Sequence, residues 1–365
     1  MFEFEFKRER MNCNYTMQEN QLYVQYGLEC PCNCCFCHNK VRTADCKSVC
    51  LEEVDKTVLQ YCSDCKRIVF GGGEPLLHFD EISALVKRMR EKSIIDSEYP
   101  CEEPVDSGVK VHIVTNGNRK LYKRHLYAEQ NVSTKNIVGI LLGEYDAKIA
   151  SSSEKCEKCQ VFDKIILSRH HYEDSKNSKI FGATEELLTT EDLRGLCSMQ
   201  KQKIMLYCVC QIGGIDNREE IFNYLYWAVE LGYTNILFSD LDIHNTPRSI
   251  YSNKNTEDNL FNSVISTLAM WHKSKYGSHI PHVVYNSSGY ETTTLNIPRD
   301  MFLNHKQRII NDDDTIAISF KRYMDIPAGN KRFCNYVNEG IVHADGTIWF
   351  KGHLPKSSKS IDIYK

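Results

Sequence analysis

The stretch that most constrains this chain is Cys30–Cys37, which places five cysteines in eight positions directly after a predicted strand. One triple within it has the spacing Cys-x3-Cys-x2-Cys, namely Cys30, Cys34 and Cys37. An aromatic residue, Phe36, directly precedes the third cysteine. Three thiolates at this spacing can bind three of the four irons of one 4Fe–4S cluster. The fourth iron then has no protein ligand and is open to a substrate or a cofactor.

A structural zinc site is the alternative interpretation, because Cys-x2-Cys pairs often bind zinc. A tetrahedral site needs a second pair, and the chain offers two, Cys62/Cys65 and Cys156/Cys159. Those two pairs could also form a structural zinc site of their own. On the cysteines alone, a zinc-binding interaction module without catalysis therefore stays open beside the iron–sulfur interpretation.

Composition limits the classes of function. The chain has 365 residues, of which 42% are hydrophobic, so it can bury a large core. Its formal net charge of −3 gives no general attraction to nucleic acid or to acidic membranes. The N-terminus alternates charged and apolar residues, and no stretch is long and apolar enough to span a membrane, so we expect a cytoplasmic protein without a signal peptide or a membrane partner. In that compartment the 17 cysteines are thiols and metal ligands rather than disulfides.

Strand-like and helical segments alternate through the first two thirds of the chain. Hydrophobic patterns predict strands over residues 21–29, 67–70, 109–114, 164–168, 204–210 and 236–238. Amphipathic segments with helical spacing lie between them. This alternation is typical of right-handed βαβ units and a parallel sheet. About six repeats are too few for a closed eight-stranded barrel, so we expect an α/β fold with a partial barrel.

The predicted organisation has three parts. An N-terminal segment covers residues 1–20, and the partial barrel covers residues 21–242 with an insertion at about 144–162. The composition then shifts, and we expect a C-terminal α+β segment over residues 243–365 that covers the barrel mouth. A hairpin within it is predicted to turn at Asp345-Gly346, a dipeptide that favours tight hairpin turns.

A second motif, Gly72-Gly73-Glu74-Pro75, follows the next predicted strand after the cysteine loop. Its glycines allow the backbone to approach a ligand closely. The two motifs together resemble the signature of the radical S-adenosylmethionine (SAM) superfamily. Members of that superfamily have a partial (β/α)6 barrel, with the cluster loop after the first strand and a Gly-Gly-Glu-Pro motif after the second. The resemblance implies two cofactors, SAM and one 4Fe–4S cluster, with Cys30, Cys34 and Cys37 as the metal ligands.

The same resemblance assigns contacts with SAM, strand by strand. It implies that Glu74 and the backbone before it face the SAM amino group, and that Thr115-Asn116-Gly117 lies near the sulfur and the ribose. It places Ser168 at the ribose and the loop containing Ile212 beside the adenine. The implied cofactor-binding residues are thus Phe36, Gly72, Gly73, Glu74, Thr115, Asn116, Ser168, Arg169 and Ile212. Parallel α/β barrels collect their active sites at such C-terminal strand ends.

Within the superfamily, residues 333–335 and 342–348 resemble the GTP cyclase that begins molybdenum-cofactor synthesis. The second cluster of that enzyme needs three cysteines, whereas the C-terminal segment offers Cys334 alone, so we expect one cluster per chain. A family lysine that can hold the SAM carboxylate corresponds to Leu206. We expect Arg169 to replace it, because arginine can bind a carboxylate through two parallel hydrogen bonds.

The resemblance implies a radical SAM enzyme. Its cluster would reductively cleave SAM to methionine and a 5′-deoxyadenosyl radical that abstracts hydrogen from an unidentified small molecule, nucleotide or peptide. A reductant such as flavodoxin or ferredoxin would be a partner. Cys208 and Cys210 share one strand face and are candidate hydrogen donors to a product radical. Small-residue packing is the alternative for them. His170 and His171, at a strand end, could reach the substrate or simply be hydrogen-bonded. Cys32 and Cys35 do not complete the cluster spacing, and we expect them to bind no iron.

Overall fold

The structure is a computed structural model that describes residues 21–34, 36–37, 49–96, 109–119, 161–183, 186–241, 260–287, 290–303, 315–323, 336–337 and 339–351. Within these ranges no helix combines the length and the apolar character needed to cross a membrane. Several residues named above lie outside the described ranges: the segment 1–20, most of the insertion, Cys35, Cys156, Cys159 and Cys334.

A single sheet contains the parallel strands that the sequence predicts. The first six strands are β1 (Gln21–Gln25), β2 (Arg67–Gly71), β3 (Lys110–Thr115), β4 (Lys164–Ser168), β5 (Ile204–Val209) and β6 (Asn235–Ser239). They lie side by side in chain order, and each pairs in parallel with the next. The predicted α/β fold with consecutive parallel strands is therefore confirmed, and this strand order is consistent with a partial barrel.

Later strands extend this sheet at both edges. They are β7 (His282–Ser287), β8 (Tyr290–Pro298), β9 (Thr315–Tyr323), β10 (Tyr336–Val337), β11 (Glu339–Val342) and β12 (Ile348–Lys351). β9 pairs in parallel with β6, and β11 pairs in parallel with β1. β11 and β12 form the predicted antiparallel hairpin, in which Gly346 has a φ of 83°. The boundaries of the three predicted parts of the chain stay predictions.

The helices mostly bury apolar side chains in one hydrophobic cluster with the strands. They are α1 (Leu51–Tyr61), α2 (Phe79–Asp96), α3 (Asp174–Phe181), α4 (Thr190–Arg194), α5 (Ser198–Lys203), α6 (Arg218–Glu230) and α7 (Leu260–Tyr276), with 3-10 turns at Cys62–Asp64, Pro75–His78 and Arg299–Met301. Two short helices, α4 and α5, follow each other directly before β5. α4 begins at a capping box of Thr189 and Asp192, and α5 begins at a second one of Cys197 and Gln200.

Alternation along the strands separates a core face from a polar face. The core face carries Leu22, Val24, Ile68, Phe70, Val111, Ile113, Ile165, Leu167, Leu206, Ile236 and Phe238, all buried in one hydrophobic cluster. Burying each such side chain contributes about 1.5–3 kcal/mol to stability. On the other face of the sheet, Val114 on β3, Tyr207 on β5 and Ser239 on β6 border a cavity. This second face is the one that forms the candidate site.

Candidate cluster and cofactor site

A cavity of about 370 Å³ lies at the C-terminal ends of the parallel strands. Its wall includes most of the residues that the sequence predicts for cluster or SAM binding, namely Cys30, Cys34, Phe36, Cys37, Gly72, Gly73, Thr115, Asn116 and Ser168. These residues come from the loops or ends of four different strands, which are far apart in the sequence. The structure brings them together, and their functional roles stay predictions.

The cysteine loop is anchored to the end of α3. The backbone N–H of Asn33 donates a hydrogen bond to the carbonyl oxygen of Phe181 at 2.9 Å. Gly182 follows with a φ of 52°, and a Cβ on it would lie 2.9 Å from the Asn33 carbonyl oxygen. Helix α3 therefore has to end in a residue without a side chain for the loop to approach. The sequence pattern did not predict α3, so it gave no sign of this support.

The donor set fits an iron–sulfur cluster in its chemistry, because soft thiolates are the ligands that such clusters prefer. The cavity wall presents four of them, Cys30, Cys32, Cys34 and Cys37. Among the residues that the structure describes, no three His, Cys, Asp or Glu side chains converge as ligands of a single metal ion. The cysteines of a cubane bind different irons and need not converge on one point.

Glu74 joins the end of β2 to the end of β3. Its Oε1 accepts hydrogen bonds from Leu76 N–H at 3.1 Å and from the Thr115 hydroxyl at 2.8 Å, while Oε2 accepts the Asn116 N–H at 2.8 Å. Burial raises the pKa of the Glu74 carboxyl to about 7, although these hydrogen bonds act in the opposite direction. Glu74 lies behind the cavity wall, where it positions Thr115 and Asn116. Its predicted contact with the SAM amino group stays a prediction.

Gly72 and Gly73 are required by contact within the chain itself. The N–H of Gly73 donates to the Gly27 carbonyl oxygen at 3.1 Å, and the N–H of Glu74 donates to the Glu29 carbonyl oxygen at 2.7 Å. A Cβ on Gly73 would lie only 2.1 Å from that Glu29 oxygen. Gly72 has a φ of 111°, which side chains rarely allow. The sequence suggested that these glycines make room for a ligand, whereas the structure also fills that room with the loop after β1.

Asn116 connects the third strand to the cysteine loop. Its Nδ2 donates to Cys32 Sγ at 3.3 Å and lies 3.6 Å from Cys30 Sγ, while its Oδ1 accepts the Asn118 N–H at 2.9 Å. The pKa of the Cys32 thiol is raised, first by a hydrogen bond with Cys30 and then by burial. With Glu74 behind Asn116, the three motifs that the sequence singled out belong to one hydrogen-bonded network.

His170 forms part of the wall beside the cysteine loop. It is 3% exposed, its ring stacks on Phe181 with centroids 4.6 Å apart, and it meets Phe36 edge-on at 5.0 Å. Its Nδ1 accepts the backbone N–H of Val209 at 3.1 Å. Burial, followed by the charge of Arg169, lowers the pKa of His170 to about 3, so the ring is neutral at physiological pH. The sequence offered His170 only as a strand-end residue that could reach a substrate.

A further part of the wall comes from β5, β6 and β9 and from the loop after β6. It contains Tyr207, Ser239, Asp240, Leu241 and Lys321. Lys321 lies on β9, which joins the cavity only because β9 pairs with β6. Sequence patterns assigned none of these five residues to the site. A local pattern carries no information on which distant strand pairs with β6, so no signal in the sequence could have identified Lys321.

The structure does not bring Arg169 to the cavity, which corrects the sequence-based expectation. Its side chain is 2% exposed, and its guanidinium donates to the Leu188 carbonyl oxygen at 2.9 Å and to the Tyr172 carbonyl oxygen at 3.0 Å. It also forms an ion pair with Asp174 and lies 5.3 Å from the centre of the Trp227 ring. These contacts hold the segments around α3 and α4 together and direct the charge away from the site.

Cys208, Cys210 and Ile212 also lie outside the cavity wall. Tyr207 and Val209 take the cavity side of β5, so the period of two places both cysteines on the core face, where each is fully buried. The pKa of the Cys210 thiol is raised by this burial and by a hydrogen bond with Cys208. Ile212 is 49% exposed. The two thiols therefore do not face the cavity as hydrogen donors, which corrects that expectation.

Several solved structures match the chain at low similarity. SuiB from Streptococcus suis, bound to SAM, is 14% identical with a TM-score of 0.38, and the match covers 62% of this chain and 40% of that one. SuiB bound to its precursor peptide SuiA is 14% identical with a TM-score of 0.42, covering 71% and 47%. Coproporphyrinogen III oxidase (HemN) from Escherichia coli is 10% identical with a TM-score of 0.38, covering 70% and 53%. The chain thus spans less than half of the length of the SuiB chain. At these similarities, the ligands of the neighbouring structures cannot be assigned to this chain.

The family comparison matches the part of the chain that forms the cysteine-loop side of the cavity. No curated protein sequence matches the chain. The family model described as Radical SAM superfamily matches residues 24–132, a range that contains the cysteine loop, Gly72–Pro75 and Thr115-Asn116-Gly117. Neither comparison tests the likeness to the GTP cyclase. Residues 24–132 of this chain are a domain of the radical SAM superfamily.

Proposed function

We propose that this protein is a radical SAM enzyme that holds one 4Fe–4S cluster and SAM in the cavity at the C-terminal strand ends. One observation carries the proposal. Residues of the three predicted motifs, from separate strands, line the same cavity: Cys30, Cys34, Cys37, Gly72, Gly73, Thr115 and Asn116. All of them fall within the region that matches the superfamily.

Cys30, Cys34 and Cys37 would hold the cluster, which would supply the electron for reductive cleavage of SAM to methionine and a 5′-deoxyadenosyl radical, the species that would abstract a hydrogen atom from the substrate. The chain's own contribution is to position the ligands and to exclude competing groups. Phe36, Ile180, Val209 and Leu241 form a small apolar cluster at the cavity, which limits access of water beside the cysteine loop. Cys208 and Cys210 are buried on the other face of β5, so these thiols are kept away from a radical in the cavity.

Polar groups on the cavity wall are already oriented before any ligand binds. The Glu74 carboxylate fixes the Thr115 hydroxyl and the Asn116 backbone, and Asn116 in turn donates to the cysteine loop. Groups held in this way need little reorganisation when a ligand arrives, which is how an enzyme converts binding into correct orientation. The network therefore supports a role for Thr115 and Asn116 in positioning SAM relative to the cluster.

We propose that the substrate contacts the part of the cavity wall that β5, β6 and β9 form. That part carries Tyr207, Ser239, Asp240 and Lys321. A carboxylate, an amine and two hydroxyls favour a polar substrate that forms several hydrogen bonds, a description that fits a small molecule, a nucleotide or a peptide. A reductant such as flavodoxin or ferredoxin would supply the electron, and a cytoplasmic location agrees with the abundance of thiols.

The metal content of anaerobically purified and reconstituted protein tests this proposal. We expect about four irons per chain, as for a single cubane. A zinc-binding interaction module predicts the reverse, about one zinc and little iron. A reproducible value of about eight irons that falls in Cys334→Ala would instead require a second cluster and would support a cyclase-like reaction.

A further inference from the structure

The carboxylate of SAM needs a partner that the sequence did not identify correctly. A carboxylate that enters a partly buried cavity loses water and has to be compensated by hydrogen-bond donors. Leu206, at the position of the family lysine, is fully buried on the core face. Arg169 donates its hydrogen bonds to Leu188, Tyr172 and Asp174 outside the cavity. Neither residue can therefore donate a hydrogen bond to the SAM carboxylate.

His170 offers a donor whose orientation is fixed. Because Nδ1 accepts the Val209 N–H, the proton of the neutral ring has to be on Nε2. Among the residues that the structure describes, none accepts a hydrogen bond from Nε2. The side chain lines the cavity, and the ring cannot rotate freely because it is packed between Phe181 and Phe36.

The backbone of His170 is held as firmly as its ring. Asn177 Oδ1, on α3, accepts the N–H of His170 at 2.8 Å and that of His171 at 3.2 Å. The strand end is thereby locked to the same helix that anchors the cysteine loop through Phe181. The donor and the cluster loop consequently share one support, helix α3.

The position of His170 indicates which part of SAM would lie beside it. Phe36, which contacts the His170 ring, directly precedes Cys37 in the cysteine loop. The amine and the carboxylate are the groups of SAM best suited to an open iron, so this end of SAM is expected beside the loop. We propose that the Nε2–H group of His170 donates a hydrogen bond to the SAM carboxylate, as a neutral replacement for a basic side chain. This inference rests on the proposed function.

Paired ligands provide the test. Dissociation constants are measured on the reconstituted, unreduced protein for SAM and for decarboxylated SAM, which lacks only the carboxylate. His170→Phe keeps a ring but loses the donor, so SAM should bind roughly ten- to a hundredfold more weakly, as for loss of a hydrogen bond to a charged group. Decarboxylated SAM should bind wild type and variant alike. His170→Gln, which can present an amide N–H near the same place, should recover part of the SAM affinity.

Two further variants serve as controls. His171→Phe changes the neighbouring buried histidine, which does not line the cavity, and should leave the ratio of the two affinities unchanged. Lys321→Met removes the charged amine that β9 contributes to the cavity wall and should also preserve the ratio. If Lys321→Met abolishes the preference for SAM over its decarboxylated form, or if His170→Phe weakens both ligands equally, the assignment to His170 is wrong.

The possible outcomes distinguish a failure of this inference from a failure of the proposed function. A wild-type protein that binds neither ligand contradicts the proposed function, whereas normal SAM binding in His170→Phe contradicts only the role of His170. Should His170→Phe fail to fold, the 15N resonances of His170 in the wild-type protein decide the question. Addition of SAM should shift the Nε2–H signal, and addition of decarboxylated SAM should not. Equal shifts with the two ligands overturn the inference.

Discussion

Oε2 of Glu74 accepts the backbone N–H of Asn116 at 2.8 Å, across the gap between the ends of β2 and β3. The Asn116 side chain then reaches Cys32 Sγ at 3.3 Å in the loop that follows β1. A residue of the Gly-Gly-Glu-Pro motif therefore acts through the third strand on the cysteine loop. Motifs that are separate in the sequence are thus connected by hydrogen bonds in one wall of the cavity.

The first prediction concerns the cluster ligands. Replacing Cys30, Cys34 or Cys37 by Ala should abolish the brown iron–sulfur absorption and reduce the iron content to background, because each thiolate binds its own iron. Cys32→Ala should retain the cluster, although Cys32 also lines the cavity. Iron analysis and visible absorption measure both effects. If Cys32→Ala were as damaging as Cys34→Ala, the assignment of ligands within the loop would be wrong.

The second prediction concerns the close approach at Gly73. A Cβ there would lie 2.1 Å from the Glu29 carbonyl oxygen, which is backbone and cannot move without displacing the loop after β1. Gly73→Ala should therefore lower the free energy of unfolding by about 3 kcal/mol, at the upper end of overpacking effects. Gly214→Ala is the matched control, since its Cβ would meet the Ile180 side chain at 3.1 Å, and that side chain can adjust. Denaturant unfolding that gave equal losses for the two variants would contradict this account.

The third prediction concerns Arg169. Because its guanidinium holds Leu188, Tyr172 and Asp174, Arg169→Ala should lower the free energy of unfolding by about 2–3 kcal/mol. The folded variant should bind SAM with unchanged affinity. Arg194→Ala, which removes an exposed ion pair with Glu191, should cost no more than about 0.5 kcal/mol. A large loss of SAM affinity in folded Arg169→Ala would restore the sequence-based assignment.

The fourth prediction is a pH dependence from His170, whose pKa is lowered from 6.5 to about 3 by burial. Between these values the unfolded chain binds a proton that the native state does not, so acidification from pH 6.5 favours unfolding. The contribution approaches about 1.4 kcal/mol per pH unit within that window. His170→Phe should therefore lose less stability than the wild type between pH 6.5 and 5. Parallel stability–pH curves for the two proteins would show that His170 titrates normally.

Much of the fold could be predicted because the signals are local. Apolar residues at helical spacing identified α1 and α6, and the strand at 164–168 was predicted with the bounds that the structure has. Since parallel strands in chain order bring their C-terminal ends together, residues after each strand end could be assigned to one site. This reasoning correctly predicted that Cys30, Gly73 and Asn116 lie in the wall of one cavity.

The wrong predictions concern residues whose side-chain orientation is set by tertiary contacts. Arg169 and His170 are consecutive, and the sequence favoured the arginine because of its charge. Asp174 and the Leu188 carbonyl oxygen bind the guanidinium, while Val209 and Phe36 hold the imidazole at the cavity. Likewise, the period of two showed that Cys208 and Cys210 share a face, but only the packing of β5 against its helices shows which face it is.

The measurement that tests the central claim most directly is SAM cleavage by the reconstituted protein under anaerobic conditions with a chemical reductant. Liquid chromatography with mass detection should find 5′-deoxyadenosine and methionine in equal amounts, with none from Cys34→Ala prepared in the same way. In the absence of substrate the 5′-deoxyadenosyl radical takes its hydrogen atom from the buffer or the reductant, so this uncoupled cleavage does not require the substrate. Protein that carries about four irons per chain and binds SAM, yet forms no 5′-deoxyadenosine above the Cys34→Ala background, would contradict the account.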